Sequence, residues 1–318
     1  MKIIDAHSHI LTPDYLAYVK ENGAALEDGF ALPNWSAEEH LDLMEQCGIE
    51  WSLLSVSSPH PHFGNDEACI ALTRKMNEDC AALKEKYPGK FGFCASLPLP
   101  DVDASAEEAV YALDVLKADG IKFASNSRGL YLGDPKLDPI FEELDKRDAV
   151  VIIHPHRPAA VTDGIFSSGP IPLYEFLCDT TRAVMNMMAN GVLTRYPRVK
   201  LVVPHCGSFL PNIASRMESL QPVLMAQGLL ENPIDVKDNI SRMYFDTAGT
   251  PAPDLLPFLL TMTTPDKIVY GADYPFTPIP VVRKNLEHLL KLFEEREDLK
   301  PYKNMILWEN AEKLFHRS

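Results

Sequence analysis

The chain has 318 residues, of which 46% are hydrophobic and 24% are charged. This balance is typical of a globular protein with a large core, and it excludes a mostly disordered chain. The formal net charge of −15 disfavours nucleic acids and anionic membrane surfaces as partners. We therefore expect the partner to be a small molecule.

The six cysteines show no CxxC spacing, and their density is far below that of a disulfide scaffold. Reduced thiols and a cytoplasmic location are the expectation. The N-terminal segment enters a strand-like run without the longer apolar stretch of a secretion signal, and no run reaches the length of a membrane span.

Short β-rich apolar runs alternate with helix-like segments along the chain. Strands are predicted at Lys2–His7, Glu50–Val56, Phe91–Leu97, Gly120–Ala124, Val150–His154, Lys200–Pro204, Met243–Thr247 and Lys267–Gly271. The clearest helices are predicted at Ser36–Cys47, Asn65–Tyr87, Ser105–Asp119, Leu137–Arg147 and Val281–Glu297. Nearly continuous apolar strands are typical of parallel sheets that are covered on both faces.

Eight such units favour a single (β/α)8 barrel domain over residues 1–318. The alternative is a doubly wound sheet, which requires a Gly-rich phosphate turn that the sequence lacks. Two long connections, from Leu11 to about Trp35 and from Pro155 to about Leu173, follow predicted strands. Because active sites of barrels lie at the C-terminal ends of the strands, we expect these connections to form a partial lid.

Four predicted strands end in histidine or aspartate, at His7 and His9, His154, His205 and Asp273. Histidines two residues apart on an extended chain point the same way. A single buried histidine after a strand is usually a hydrogen-bonded core residue. Four strands with such ends, which meet at one mouth of a barrel, instead predict a site for Zn²⁺ or a similar cation.

At this point the sequence resembles the amidohydrolase superfamily. Within it, the closest resemblance is to the branch of aminocarboxymuconate-semialdehyde decarboxylase and the non-oxidative hydroxybenzoate decarboxylases. The matching stretches are residues 5–9, 120–123, 151–155, 201–207, 244–247, 269–276 and 309–311. Residues 130–135, 176–182 and 274–278 are similar to a 6-methylsalicylate decarboxylase-like group.

The resemblance implies that His7, His9, His154 and Asp273 hold one divalent cation, with zinc preferred over manganese. It also implies that His205 is the acid or base beside that cation. Many members of the superfamily carry a carboxylated lysine in the fourth strand, where Lys122 lies. Because the resembled branch is mononuclear, we expect a free amine there.

The function that we expect is non-oxidative decarboxylation of a small carboxylate, aromatic or muconate-type, with Asp273 or His205 delivering the proton that replaces CO₂. The alternative is hydrolysis of an amide, lactone or ester by metal-bound hydroxide, since the same residues support both reactions. A metal-binding protein without turnover is the third hypothesis. A homodimer is expected from the resemblance alone.

Substrate contacts are predicted for His156, Arg157, His60 and Arg128, and guanidinium groups in particular suit a carboxylate. His60 and His62 could equally line the pocket or face solvent. Asp246 is predicted to orient neighbouring groups rather than to react. The semialdehyde decarboxylase has an arginine soon after the second strand, and its absence here argues against that substrate.

Overall fold

The computed structural model describes residues 1–160 and 169–316. It contains one sheet of eight parallel strands, whose spatial order follows the chain. The strands are β1 (Ile3–His9), β2 (Ile49–Ser55), β3 (Phe91–Ala95), β4 (Gly120–Ala124), β5 (Val150–His154), β6 (Lys200–Val203), β7 (Tyr244–Asp246) and β8 (Ile268–Val269). Hydrogen bonds from Ala6 N to Tyr270 O (2.8 Å) and from His9 N to Tyr274 O (2.7 Å) join β1 to the chain around β8. The predicted (β/α)8 barrel is therefore confirmed.

Helices surround the barrel. They are α1 (Pro13–Glu21), α2 (Ala37–Cys47), α3 (Asp66–Lys86), α4 (Val102–Asp114), α5 (Asp138–Lys146), α6 (Glu175–Ala189), α7 (Val192–Arg195), α8 (Leu210–Ala226), α9 (Val236–Arg242), α10 (Leu255–Leu259), α11 (Ile279–Glu295) and α12 (Asn310–Leu314). Short 3₁₀ helices lie at Pro135–Leu137, Ile171–Leu173, His205–Gly207, Pro265–Lys267 and Lys300–Tyr302, and a π-helical turn lies at Met305–Glu309. None of the helices in the described ranges combines the length and apolar character that crossing a bilayer requires.

Side-chain caps determine where several helices begin. Ser36 Oγ accepts a hydrogen bond from Glu39 N before α2, and Asp101 Oδ1 accepts one from Ala104 N before α4. The cap at Asp101 explains why α4 begins at Val102 and not at the predicted Ser105; the helix also ends earlier than predicted, at Asp114 and not at Asp119. The other predicted helices agree with the structure to within two residues at each end.

The N-terminal half of the barrel interior is filled and sealed. Its apolar cluster consists of Ile4, Ala6, Trp51, Leu53, Cys94, Val150, Ile152, Val202 and Val269, with Ala311, Leu314 and Phe315 from the end of the chain. The rings of Trp51 and Phe315 lie 5.6 Å apart, so the last helix closes this end. Open space inside the barrel is left at the C-terminal ends of the strands.

The long connections meet over that open end. The main-chain N–H of Ile171 donates to the carbonyl of Asp28 over 2.9 Å, and Gly29 lies against Pro170. The first and second connections therefore contact each other, as expected for a partial lid. Residues 161–168 of the second connection lie outside the described residues. A small hairpin, Asn126–Ser127 with Leu130–Tyr131, follows β4 and was not predicted.

Candidate active site

Four predicted ligands meet at the C-terminal end of the barrel. His7 and His9 end β1, His154 ends β5, and Asp273 follows β8. One ligand atom from each lies within 4.8 Å of the others. The Nε2 atoms of His7 and His9 are 3.2 Å apart, and His9 Nε2 is 3.0 Å from Asp273 Oδ1.

The other ring nitrogen of two of these histidines faces a main-chain carbonyl. Nδ1 of His9 lies 3.3 Å from the carbonyl oxygen of Ser55, and Nδ1 of His154 lies 2.9 Å from that of Pro155. Because a carbonyl only accepts hydrogen bonds, each Nδ1 carries the proton and each Nε2 offers a lone pair. Both imidazoles are thereby oriented as metal ligands.

His7 is oriented by a carboxylate instead. Its Nδ1 donates to Asp246 Oδ2 over 2.7 Å, which again leaves a lone pair on Nε2. Asp246 Oδ1 accepts hydrogen bonds from the main-chain N–H groups of His205 and Ala248. Asp246 therefore orients a ligand and holds the start of the His205 turn, as the sequence predicts for a supporting group.

These tautomers provide a test of whether a cation fits. The Nε2 atoms of His7 and His9 face each other across 3.2 Å, and two lone pairs at that distance repel unless a proton or a cation lies between them. Three imidazole nitrogens and one carboxylate oxygen are a donor set that Zn²⁺ and other divalent transition metals accept. The described residues therefore fit one divalent cation.

The electrostatic environment of the ligands leads to the same conclusion. Burial alone would lower the pKa of His7, but the neighbouring Asp246 carboxylate outweighs it and raises that pKa to about 9. Burial acts to raise the pKa of Asp273, yet the neighbouring imidazoles of His9 and His7 lower it to about 2. The two carboxylates thus favour a positive charge at the centre of the cluster.

His205 lies beside the cluster but is not one of its members. Its Nε2 is 4.0 Å from Asp273 Oδ2, and its Nδ1 is buried with no hydrogen-bond partner among the described residues. Burial lowers the pKa of His205, and the charge of the Asp273 carboxylate opposes this effect. This geometry suits a group that moves a proton next to Asp273.

Asp5 joins the two sides of the site. Its Oδ1 accepts hydrogen bonds of 3.0 Å from the main-chain N–H groups of His7 and Ala272, and its Oδ2 accepts one from Ser8 Oγ. The carboxylate therefore fixes the seam between β1 and β8, where three of the ligands lie. The sequence gives no sign of this role beyond the position of Asp5 in the Asp-x-His-x-His segment.

A cavity of about 650 Å³ opens from the cluster. Its polar end is formed by His154, His205 and Asp273. Most of its wall is apolar, and its aromatic members are Phe30, Phe176, Phe209, Phe258 and Phe276. This volume and lining are typical of small-molecule sites with a few convergent polar groups. We call it the metal cavity.

The four predicted substrate contacts lie in a second, smaller cavity of about 250 Å³, which we call the arginine cavity. It is lined by Glu27, Ser58, His60, Asn126, Arg128, His156, Arg157, Pro158 and Ala159. Ser58 also lines the metal cavity. Arg128 is paired with the Glu27 carboxylate at 2.8 Å, and Arg157 donates to the Glu27 carbonyl. A substrate contact by these four residues stays a prediction.

His62 and Lys122 take different positions. The ring of His62 lies 2.7 Å from the exposed Asp66 carboxylate, and His62 lines neither cavity as described. Lys122 is buried, and its Nζ donates to the Ser57 carbonyl over 3.4 Å. That Lys122 is a free amine beside a single-metal site stays a prediction.

Comparison with known proteins agrees with this geometry. Residues 4–317 match the family described as Amidohydrolase. A 6-methylsalicylic acid decarboxylase from Penicillium expansum is 32% identical over 94% of this chain and 93% of its own length. A crystal structure of an amidohydrolase II is 34% identical, covers 99% of this chain and 100% of its own, and has a TM-score of 0.90.

A dihydroxybenzoic acid decarboxylase from Polaromonas shares the fold, with a TM-score of 0.83, 20% identity, and coverage of 99% of this chain and 97% of its own. That structure contains manganese and the inhibitor 2-nitroresorcinol. The chain described here therefore belongs to the amidohydrolase family, within the branch that contains decarboxylases, and it is an enzyme.

Proposed function

We propose that the enzyme is a metal-dependent, non-oxidative decarboxylase of a small aromatic acid that carries a hydroxyl group beside its carboxyl group. The observation that carries this proposal is the ligand cluster at one end of a cavity whose wall is mostly aromatic and aliphatic. The similarity to a 6-methylsalicylic acid decarboxylase supports the same class of substrate.

His7, His9, His154 and Asp273 would hold the cation. When bound, it would supply a Lewis acid that attracts the substrate carboxylate and withdraws negative charge. Zinc is our first expectation because of the nitrogen-rich donor set. Manganese is the alternative, and it is present in the related Polaromonas structure.

The apolar wall of the metal cavity positions the aromatic ring. Phe176 and Phe276 lie next to the ligands, with ring centroids 6.1 Å from His154 and 5.2 Å from His9. Such surfaces bury the faces of a substrate ring and exclude water. Exclusion of water favours decarboxylation over hydrolysis, because hydrolysis requires a water molecule aimed at a carbonyl group.

His205 and Asp273 would supply the proton. As the C–C bond breaks, its electron pair stays on the ring carbon and CO₂ leaves. His205, after taking up a proton from water, gives that proton to the ring carbon and returns to the neutral imidazole. Asp273 Oδ1 faces the ligands, while its Oδ2 lies 4.0 Å from His205 Nε2. This separation supports proton transfer between His205 and Asp273 at the border of the metal cavity.

The test combines metal content with turnover. We expect about one equivalent of a divalent metal and release of CO₂ from 6-methylsalicylate, salicylate or 2,6-dihydroxybenzoate, with one deuterium incorporated at the vacated carbon in D₂O. His205→Gln should lower kcat by about 10²–10⁴-fold, the usual contribution of a general acid or base, while the metal content stays unchanged.

His288→Gln is the matched control, because His288 is exposed on α11, and it should keep the wild-type kcat. A metal-loaded protein that is silent on these acids but cleaves lactones, esters or amides would replace the decarboxylase proposal with the hydrolase alternative. Two metal equivalents would contradict the mononuclear site and point to Lys122 as a carboxylated bridge.

We further propose a cytoplasmic homodimer that uses no nucleic acid or membrane partner. All six cysteines are free in the structure, which is compatible with a reducing compartment. Sedimentation velocity of the purified protein tests the dimer, and a monomer at micromolar concentration would overturn it.

A further inference from the structure

Asp28, in the first long connection, is a buried carboxyl group on the wall of the metal cavity. It is only 3% exposed, and it lines the cavity together with Phe30 and Phe276. Neither the ligand cluster nor the proton-moving pair includes it. Its position in a loop after an irregular stretch gave no sequence signal, because Asp followed by Gly reads as an ordinary turn.

The two carboxylate oxygens of Asp28 differ. Oδ2 accepts a hydrogen bond from Ser58 Oγ. Oδ1 is buried and has no hydrogen-bond partner in the part of the chain that the structure describes. Buried polar atoms are rarely left without a partner, because desolvation without a replacement hydrogen bond is costly. Oδ1 therefore needs a donor that these residues do not supply.

The contacts by which Asp28 stabilises the loop are made by its main-chain carbonyl and by Oδ2, not by Oδ1. The main-chain carbonyl of Asp28 accepts the hydrogen bond from Ile171 N that joins the two connections, and Oδ2 ties the loop to Ser58. Burial raises the pKa of Asp28 to about 6, so the carboxyl group is still mostly ionised at neutral pH. Oδ1 is then a strong hydrogen-bond acceptor beside an aromatic wall.

We propose that Asp28 determines substrate specificity by accepting, at Oδ1, a hydrogen bond from a ring hydroxyl other than the one beside the substrate carboxyl group. This inference rests on the proposed function and narrows its substrate class to dihydroxy or polyhydroxy aromatic acids. The negative charge of Asp28 also repels a carboxylate, so it directs that end of the substrate towards the cation site.

A charged acceptor discriminates well between substituents. A hydroxyl group donates to Oδ1, whereas a methoxy group at the same ring position has no proton to donate and leaves the buried oxygen without a partner. A hydrogen bond to an ionised group changes affinity by about tenfold to a hundredfold. The preference for hydroxyl over methoxy is therefore large enough to measure for one ring position.

The experiment measures binding, so it does not depend on turnover. The probes are 2-nitrophenols, in which a nitro group stands in for the carboxylate, as in the 2-nitroresorcinol bound by the Polaromonas enzyme. Each remaining ring position carries either hydroxyl or methoxy, and calorimetry of the metal-loaded protein gives Kd for every pair. We expect wild type to prefer hydroxyl by about tenfold or more at one position.

Asp28→Asn keeps an oxygen for Ser58 and presents an amide N–H₂ in place of Oδ1, so it should abolish or reverse that preference. Glu21→Gln is the matched control. It makes the same change of carboxylate to amide at an exposed residue of the same connection, which lines neither cavity, and it should leave the hydroxyl preference as in wild type. Asp28→Ala, checked by thermal unfolding and metal content, replaces Asp28→Asn if that variant does not fold.

Three results would overturn the inference: no ring position shows a hydroxyl preference in wild type, the preference survives loss of the Asp28 carboxylate, or Glu21→Gln removes it equally. Failure of the proposed function is a separate result, because it would appear as absence of CO₂ release, regardless of the Kd values of the nitrophenols. A hydroxyl preference that disappears in Asp28→Asn supports the inference even if the reaction is a different one.

Discussion

The metal cavity and the arginine cavity lie side by side at the same end of the barrel, and each receives a histidine from the end of β5. His154 lines the metal cavity and His156 lines the arginine cavity. His7 and His9 are also two residues apart, yet both join the ligand cluster. The difference is that β1 continues to His9, whereas β5 stops at His154. Alternation of side chains predicts a shared site only while the chain stays extended.

The largest effect that this comparison predicts is a difference in metal content and kcat/KM between variants of His154 and His156. His154→Ala removes a ligand, so we expect loss of bound metal and a fall in kcat/KM of at least about a thousandfold, beyond the 10–100-fold typical of groups that only support ligands. His156→Ala, the matched control, should retain about one metal equivalent and lose less than about tenfold in kcat/KM. Elemental analysis and CO₂ release measure both.

A loss in His156→Ala as large as in His154→Ala would break the comparison, because the substrate would then reach the arginine cavity. It would also support the predicted carboxylate contacts of Arg157 and Arg128. Retention of metal by His154→Ala would instead remove this histidine from the ligand set.

The sequence predicted the barrel and the ligands because both depend on local patterns that repeat. Each of the eight strands is an apolar run, and each ligand stands at the end of such a run, where the topology brings the ends together. The wall of the metal cavity could not be predicted in this way. Phe30 and Phe276 come from connections of irregular backbone, and which cavity they face depends on packing between loops.

Packing between loops also determines where the predicted substrate contacts lie, and sequence patterns do not predict that packing. Arg128 and Arg157 were chosen for their chemistry, and the structure brings both to one place, beside Glu27. Which of two adjacent cavities that place belongs to is decided by the turn after β5 and by the small hairpin after β4. Neither has a periodic signal in the sequence.

An intermediate effect is expected at Asp246, which orients the predicted ligand His7. In Asp246→Asn, the new NH₂ group must point either at His7 Nδ1 or at the N–H groups of His205 and Ala248. In both orientations a hydrogen-bond donor faces another donor. We expect the metal affinity to fall by about 10–100-fold, as is usual for such supporting groups. Competition with a chelator measures the affinity, and Asp266→Asn, an exposed carboxyl group before β8, should leave it unchanged.

Unchanged metal affinity in Asp246→Asn would mean that the His7 tautomer does not depend on this carboxylate. The ligand geometry would then be set by the strand alone, and the comparison of the two cavities would have to rest on backbone geometry.

The smallest effect concerns stability, at Lys122 near the arginine cavity. The metal cavity favours positive charge, because carboxylates raise the pKa of His7 to about 9. The surroundings of Lys122 disfavour positive charge, because burial lowers the pKa of Lys122 from 10.5 to about 7. Between pH 7 and 10.5 the unfolded chain therefore binds a proton that the folded protein does not. Stability should rise with pH across this window, by up to about 1.4 kcal/mol per pH unit from this group.

Lys122→Met keeps the length of the side chain and removes the amine, so it should flatten this slope and stabilise the protein at pH 7. Urea unfolding at pH 7, 8, 9 and 10 measures the slope, and Lys237→Met, whose side chain is 84% exposed, should retain the wild-type dependence. A Lys122→Met variant that is less stable at pH 7 would show that the lysine is charged and paired, or carboxylated. The arginine cavity would then favour charge as the metal cavity does, and the electrostatic contrast between them would disappear.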